Sequence, residues 1–104
     1  MRAVVWSDDA VADFEQLVAY IAADNPAAAD RAADRIEEAG AALGSLATGR
    51  RGRVTGTYEK VMVGLPYIIA YAIRAHGQSG EIDSVVILRI IHGARDWPAG
   101  AWPE

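Results

Sequence analysis

The rhythm of apolar and polar positions changes twice along this chain. Ala3-Val4-Val5-Trp6 is a short run of residues that suit a pleated surface, and it predicts a strand. From Ser7 onward the period lengthens. Val11, Phe14, Val18 and Ile21, with Leu17 beside them, recur at helical spacing and form one stripe. Ser7 has the chemistry of a helix cap, and Asp8 and Asp9 follow where carboxylates meet the positive end of the helix dipole. A helix over residues 8–23 is therefore predicted.

Asp24-Asn25-Pro26 stops that helix and starts another, because Asn caps well and Pro is tolerated at the first helical position. The second helix is predicted to reach residue 46, with Ala29, Ala33, Ile36, Leu43 and Ala47 as its apolar line. Arg31 with Asp34, and Arg35 with Glu38, have the spacing of ion pairs on the solvent side. A connection this short makes the two helices an antiparallel hairpin. The alanine-rich second helix either packs closely on a sheet or leaves a shallow apolar surface for a partner.

From Thr48 the pattern shortens again. Thr48-Gly49-Arg50-Arg51-Gly52-Arg53 reads as a flexible basic loop, and strand-like stretches follow at 57–63, 67–74 and 82–91. Gly64-Leu65-Pro66 and His76-Gly77-Gln78-Ser79-Gly80 mark the turns between them, so the three strands form an antiparallel meander. The last strand is apolar on both faces, as a central strand covered on both sides would be. The predicted fold is a single two-layer α+β domain over residues 1–104: strand, helix hairpin, three-stranded meander (β-α-α-β-β-β) and a short C-terminal tail. The hairpin covers one face of the sheet. The tail, with Trp97 and Trp102, and a protein partner are expected to share the other.

Charge divides the chain. Residues 1–40 hold nine acids against three arginines, whereas 41–104 hold five acids against seven bases. Nine of the ten cations are Arg, the residue suited to bidentate contacts with carboxylate or phosphate, although Arg-rich codon usage gives the same count. The 104 residues contain no cysteine, which removes disulfides and thiolate metal sites. The apolar start is four residues long, too short for a signal peptide, and no run of about 18 apolar residues is present to span a bilayer. A cytoplasmic location without cofactor or metal is the expectation.

Four segments in this order carry a family resemblance. They are Tyr20-Ile21-Ala22-Ala23-Asp24-Asn25-Pro26-Ala27-Ala28-Ala29, Arg51-Gly52-Arg53-Val54-Thr55-Gly56-Thr57, Pro66-Tyr67-Ile68-Ile69-Ala70-Tyr71, and Ile87-Leu88-Arg89-Ile90-Ile91-His92-Gly93-Ala94-Arg95-Asp96-Trp97-Pro98. Together they resemble the RelE/ParE toxin superfamily, on its ParE-like side, from the first strand to Pro98. The resemblance implies the toxin of a type II toxin–antitoxin system, associated with growth arrest and plasmid stabilisation. ParE-type members inhibit DNA gyrase by protein contact; RelE-type members cut mRNA in the ribosome. A ParD-like antitoxin, in a heterotetramer or larger complex, is the implied partner, with no membrane contact and no direct DNA binding by this chain.

Cleavage of RNA by its own 2′-hydroxyl needs a base, an acid and cations around the phosphate. Arg53, Arg89 and His92 are the residues available for it, with Glu59 as a further base or simply a solvated strand carboxylate. Where RelE-like enzymes carry an Arg on the third strand this chain has Ile68, and near the C-terminus it offers Trp97, whose indole is no acid at neutral pH. His92 either transfers protons or hydrogen-bonds backbone where the last strand ends. The alternative to catalysis is binding. Arg89, His92, Arg95, Asp96, Trp97 and Trp102 have the composition of an interface hot spot for the target, unless the tryptophans clasp the sheet internally. Arg50, Arg51, Arg53, Tyr67, Tyr71 and Arg74 form the candidate antitoxin surface, with a solvated turn as the plainer reading of the three loop arginines. An inactive relic kept for complex formation is the third possibility.

Overall fold

The computed structural model describes residues 2–76, 81–93 and 102, with residues 75, 76 and 81–83 described through their backbone alone. Its elements are β1 (Ala3–Trp6), α1 (Asp8–Asp24), α2 (Pro26–Ala42), β2 (Arg50–Arg51), β3 (Tyr58–Val61), β4 (Tyr67–His76) and β5 (Glu81–His92). The strands form one sheet in the order β1-β5-β4-β3-β2. β1 lies parallel to β5, with Val4 opposite Val85 and Trp6 opposite Ile87, while the other neighbours are antiparallel. The α+β architecture read from the sequence is the one observed, with a two-residue edge strand added where a flexible loop was expected.

Local chemistry sets the hairpin. Ser7 Oγ accepts from the N–H of Ala10 and donates to the carbonyl of Leu88, so one hydroxyl caps α1 and docks it on the sheet. At the far end the N–H of Asn25 closes α1 onto Ile21, and its side-chain oxygen accepts from Ala28 to open α2. One residue reverses the chain.

The buried line of α2 is Ala29, Ala32, Ile36 and Gly40, one residue off the predicted Ala33 position. Close packing is the outcome: a Cβ at Gly40 would stand 2.9 Å from Ile87 Cδ1 and 3.3 Å from the Trp6 ring. The helix stops at Ala42 rather than residue 46, because Leu43 and Gly44 tighten into a turn whose Gly44 carbonyl accepts from Arg2. The pairs of Arg31 with Asp34 and Arg35 with Glu38 do not close, and Arg35 reaches across to the carbonyl of Val63. In α1, Val11 points to solvent, and Ala10 takes its place in the buried stripe with Leu17.

The main core lies between hairpin and sheet and includes Leu17, Ile36, Leu43, Ile69, Tyr71, Val85 and Ile87. Alternation along β4 turns Ile68 and Ala70 to the opposite face. There they are buried together with Ile91, and Trp102 packs against them. The tail's expected share in covering the second face is seen here: around Ile68, Ala70 and Ile91 the chain's own Trp102 contributes the cover. The expected turn at Gly77–Gly80 lies outside the described residues.

Candidate interaction surfaces

β1 ends at Trp6, so β5 loses its parallel neighbour beyond Ile87. The register slips there as well, since Tyr71 faces Ile87 while Ala70 faces Arg89, leaving Leu88 as an extra residue. An exposed strand edge with unpaired N–H groups would follow, but α1 crosses it. Asp13 Oδ2 accepts from the backbone N–H of Ile90 at 3.0 Å and from Arg89 Nε at 2.7 Å, and Oδ1 accepts from Arg89 Nη2 at 3.1 Å. Two-point geometry of this kind is the strong form of an Arg–carboxylate pair. The hydrogen bond to Asp13, then the negative fields of Asp13 and Asp9, raise the Arg89 pKa against the opposing effect of burial. Arg89 is therefore a brace between helix and sheet.

His92 lies at the end of β5 opposite Tyr67, exposed, with its ring edge-on to the Tyr67 ring at 5.4 Å between centroids. Tyr67 itself is buried, and burial, with a smaller push from Tyr20, raises its hydroxyl above the usual tyrosine value. Tyr20 is 80 % exposed beside it. Arg89, turned to Asp13, and His92, turned to Tyr67, thus have different partners. Tyr71 is 1 % exposed, stacks on Tyr58 and donates to the carbonyl of Thr48 at 2.7 Å, and its pKa too is raised by burial. Tyr67 and Tyr71, named as candidate antitoxin contacts, are both buried in the main core of this chain. Arg74 stays exposed on β4.

The basic segment is ordered by a group the sequence reading undervalued. Glu59 is not a solvated strand carboxylate; it is 2 % exposed. Its Oε1 accepts from Arg50 Nη2 at 3.2 Å and its Oε2 from the backbone N–H of Arg53 at 2.8 Å. Arg50, Arg51 and Arg53 thus sit on a built hairpin.

Ile68, the position where the resemblance leads one to look for a phosphate-binding Arg, is 4 % exposed with Trp102 packed against it. Trp102, partly buried, makes the internal contact that was weighed for it beside target binding. Arg95, Asp96 and Trp97 lie outside the described residues. Among the described residues no group of three His, Cys, Asp or Glu side chains is placed to hold a metal ion, and no helix is long and apolar enough to cross a membrane.

The family model described as the ParE toxin of the type II toxin–antitoxin system, parDE, matches residues 4–97. The chain belongs to the ParE toxin family. This ParE-family chain is 36 % identical over 98 residues to Y4kP of Sinorhizobium fredii, a candidate toxin by name, across 93 % of this chain and 94 % of that protein. It is also 36 % identical over 97 residues to the toxin RelE2 of Caulobacter vibrioides, across 91 % and 99 % of the two chains. In shape it is similar to a chain of the chromosomal ParDE system of P. aeruginosa, with a TM-score of 0.77 at 22 % identity over 88 % of this chain and 96 % of that one. At that identity the likeness concerns the fold.

Asp13 escaped the sequence, and Glu59 was read there as a base or a solvated strand carboxylate rather than as a buried anchor. Asp13 stands three residues after Ala10 and four before Leu17, so a carboxylate on the buried face of α1 was the available signal. Glu59 is the single acid between residues 48 and 74, amid five bases, and that isolation was its signal.

Proposed function

We propose that this ParE-family toxin acts by protein contact, with DNA gyrase as its target, and that a ParD-like antitoxin neutralises it in the cytoplasm. The observation that carries the reading is the closed state of the arginine a nuclease would need. Arg89 is committed to Asp13 in a bidentate pair. The third-strand position is an Ile under Trp102 rather than a cation. A transition state gathering charge on phosphate oxygens would find neither of these two donors.

Charge supports the same side. The chain is net −4, whereas a protein that threads into the phosphate-dense ribosome gains from strong positive charge. His92, exposed at the end of β5 beside Tyr67 and Tyr20, then belongs to a contact surface for the target. Aromatic side chains with a polar tip are what such surfaces use to bury area against a partner.

Supercoiling of relaxed plasmid by purified gyrase tests the target. Inhibition at micromolar toxin, relieved by antitoxin, is expected; unchanged supercoiling removes gyrase. The name of the RelE2 relative keeps ribosome-dependent mRNA cleavage as the second reading. Ribosome profiling after induction gives sharp breaks within codons if that reading holds, and an inactive relic leaves growth untouched.

A further inference from the structure

β1 forms one edge of the sheet, and its helix-facing side chains, Val4 and Trp6, are only partly buried against the core. Trp6 meets Phe14 of α1 edge to face, with 5.5 Å between ring centroids and 78° between planes. On the other side Gly40 lets α2 press onto the indole, which fixes the ring in place. A cavity of about 370 Å³ opens beside the two rings, and Val4, Ala41 and Glu37 contribute to its wall.

Glu37 is the chemical handle of this wall. It is exposed, and among the described residues it pairs with no cation. Arg2, two residues before Val4, is not part of the lining. Asp34 and Asp30 precede Glu37 at spacings of three and four residues, so three exposed carboxylates share one face of α2. Aromatic rings beside a carboxylate suit a long basic side chain: the rings attract the cation and cover its aliphatic stem, while the carboxylate accepts from its head. The volume lies near the lower end of the roughly 300–1,000 Å³ found for small-ligand sites, which leaves room for one side chain.

We infer that this cavity seats one arginine side chain from a basic segment of a protein partner, whose further positive charge lies along Asp30, Asp34 and Glu37. Arginine fits better than lysine, because a planar guanidinium stacks on a ring and forks onto a carboxylate at once. The carboxylate line runs along about 10 Å of helix, more than a single small cation would use. A nucleic-acid strand is the wrong occupant, since the first 40 residues hold nine acids against three arginines and repel a phosphate backbone. The inference does not depend on gyrase being the target.

The test uses full-length, ¹⁵N-labelled toxin titrated at constant ionic strength with hexa-arginine, hexaglutamate and spermidine. Hexa-arginine should move the Trp6 indole signal and the amides of Glu37 and Ala41 saturably, and hexaglutamate should leave them unmoved. Glu37→Gln should weaken hexa-arginine binding by about three-fold or more, the scale of one exposed charge pair. Phe14→Leu, which keeps an apolar side chain and removes the ring, should weaken it too while the spectrum keeps its native dispersion. Asp24→Asn makes the same change of charge at the hairpin turn and should leave the affinity at its wild-type value. An equal loss in Asp24→Asn marks diffuse attraction and overturns the inference, as does binding indifferent to Glu37→Gln. Spermidine that binds as tightly at the same signals makes a free polyamine the occupant and overturns the partner segment. A toxin dimer in sedimentation equilibrium that Glu37→Gln dissociates makes a second copy the occupant and overturns it likewise.

Discussion

Replacing Asp13 by Ala removes three hydrogen bonds at once and leaves two groups stranded. The Ile90 N–H loses its acceptor on an edge that β1 does not reach, and the Arg89 guanidinium loses its counter-charge. The side chains are 22 % and 15 % exposed, so water reaches them only in part. An orphaned backbone donor costs about 1–3 kcal/mol, and removing one partner of a fully buried pair about 3–5 kcal/mol. Partial exposure places Asp13→Ala near the lower bound, at about 3 kcal/mol. For a domain of this size that lowers Tm by roughly 12 °C or more.

Urea unfolding followed by circular dichroism measures the loss, and a double-mutant cycle assigns it. Arg89→Met in the Asp13→Ala background should recover about 1–2 kcal/mol, because the unpaired charge is gone and the two sites couple. Hydrogen exchange at Ile90 should accelerate in both Asp13 variants. A loss below about 0.5 kcal/mol, within the range of ordinary surface substitutions, would refute the brace, as would two effects that simply add.

Gly40→Val forces new carbons against Ile87 and Trp6, and about 2–3 kcal/mol of stability should be lost in the same urea experiment. Trp102→Ala uncovers Ile68, Ala70 and Ile91, so it should cost about 2 kcal/mol, half the effect of a fully buried Trp, and increase binding of an apolar dye. Tyr67 and Tyr71 have folded pKa values above the unfolded value of 10.0, so ionisation favours the unfolded chain. Their contribution is therefore complete below pH 10.0 and is lost as pH rises through the folded values; Tyr71→Phe should cost about 1 kcal/mol at neutral pH for the Thr48 hydrogen bond yet flatten the alkaline decline seen by thermal melting.

Local chemistry was legible where neighbours in sequence decide the outcome. Ser7 and Asn25 cap the helices they were expected to cap, and alternation placed the three long strands within two or three residues. Contacts between distant segments were not legible. β2 is held by pairing with Tyr58 and Glu59, and nothing in the two arginines themselves signals a strand. The end of α2 depends on Gly44 meeting Arg2, although alanine propensity alone would continue the helix.

The site follows the same division. Arginine-rich and aromatic positions drew attention by type, but their roles turned on partners far along the chain. Asp13 lies 76 residues before Arg89 and makes it a brace; Trp102 packs onto Ile68 from the other end of the sequence. Tyr67 and Tyr71 read as surface candidates because their chemistry suits interfaces, and the fold turned both inward.

The claim that this fold binds protein rather than cutting RNA meets its sharpest test in primer extension on mRNA from a reconstituted translation reaction containing purified toxin. Full-length extension products at micromolar toxin are the predicted result. Reproducible stops inside codons that vanish with His92→Ala would contradict the account.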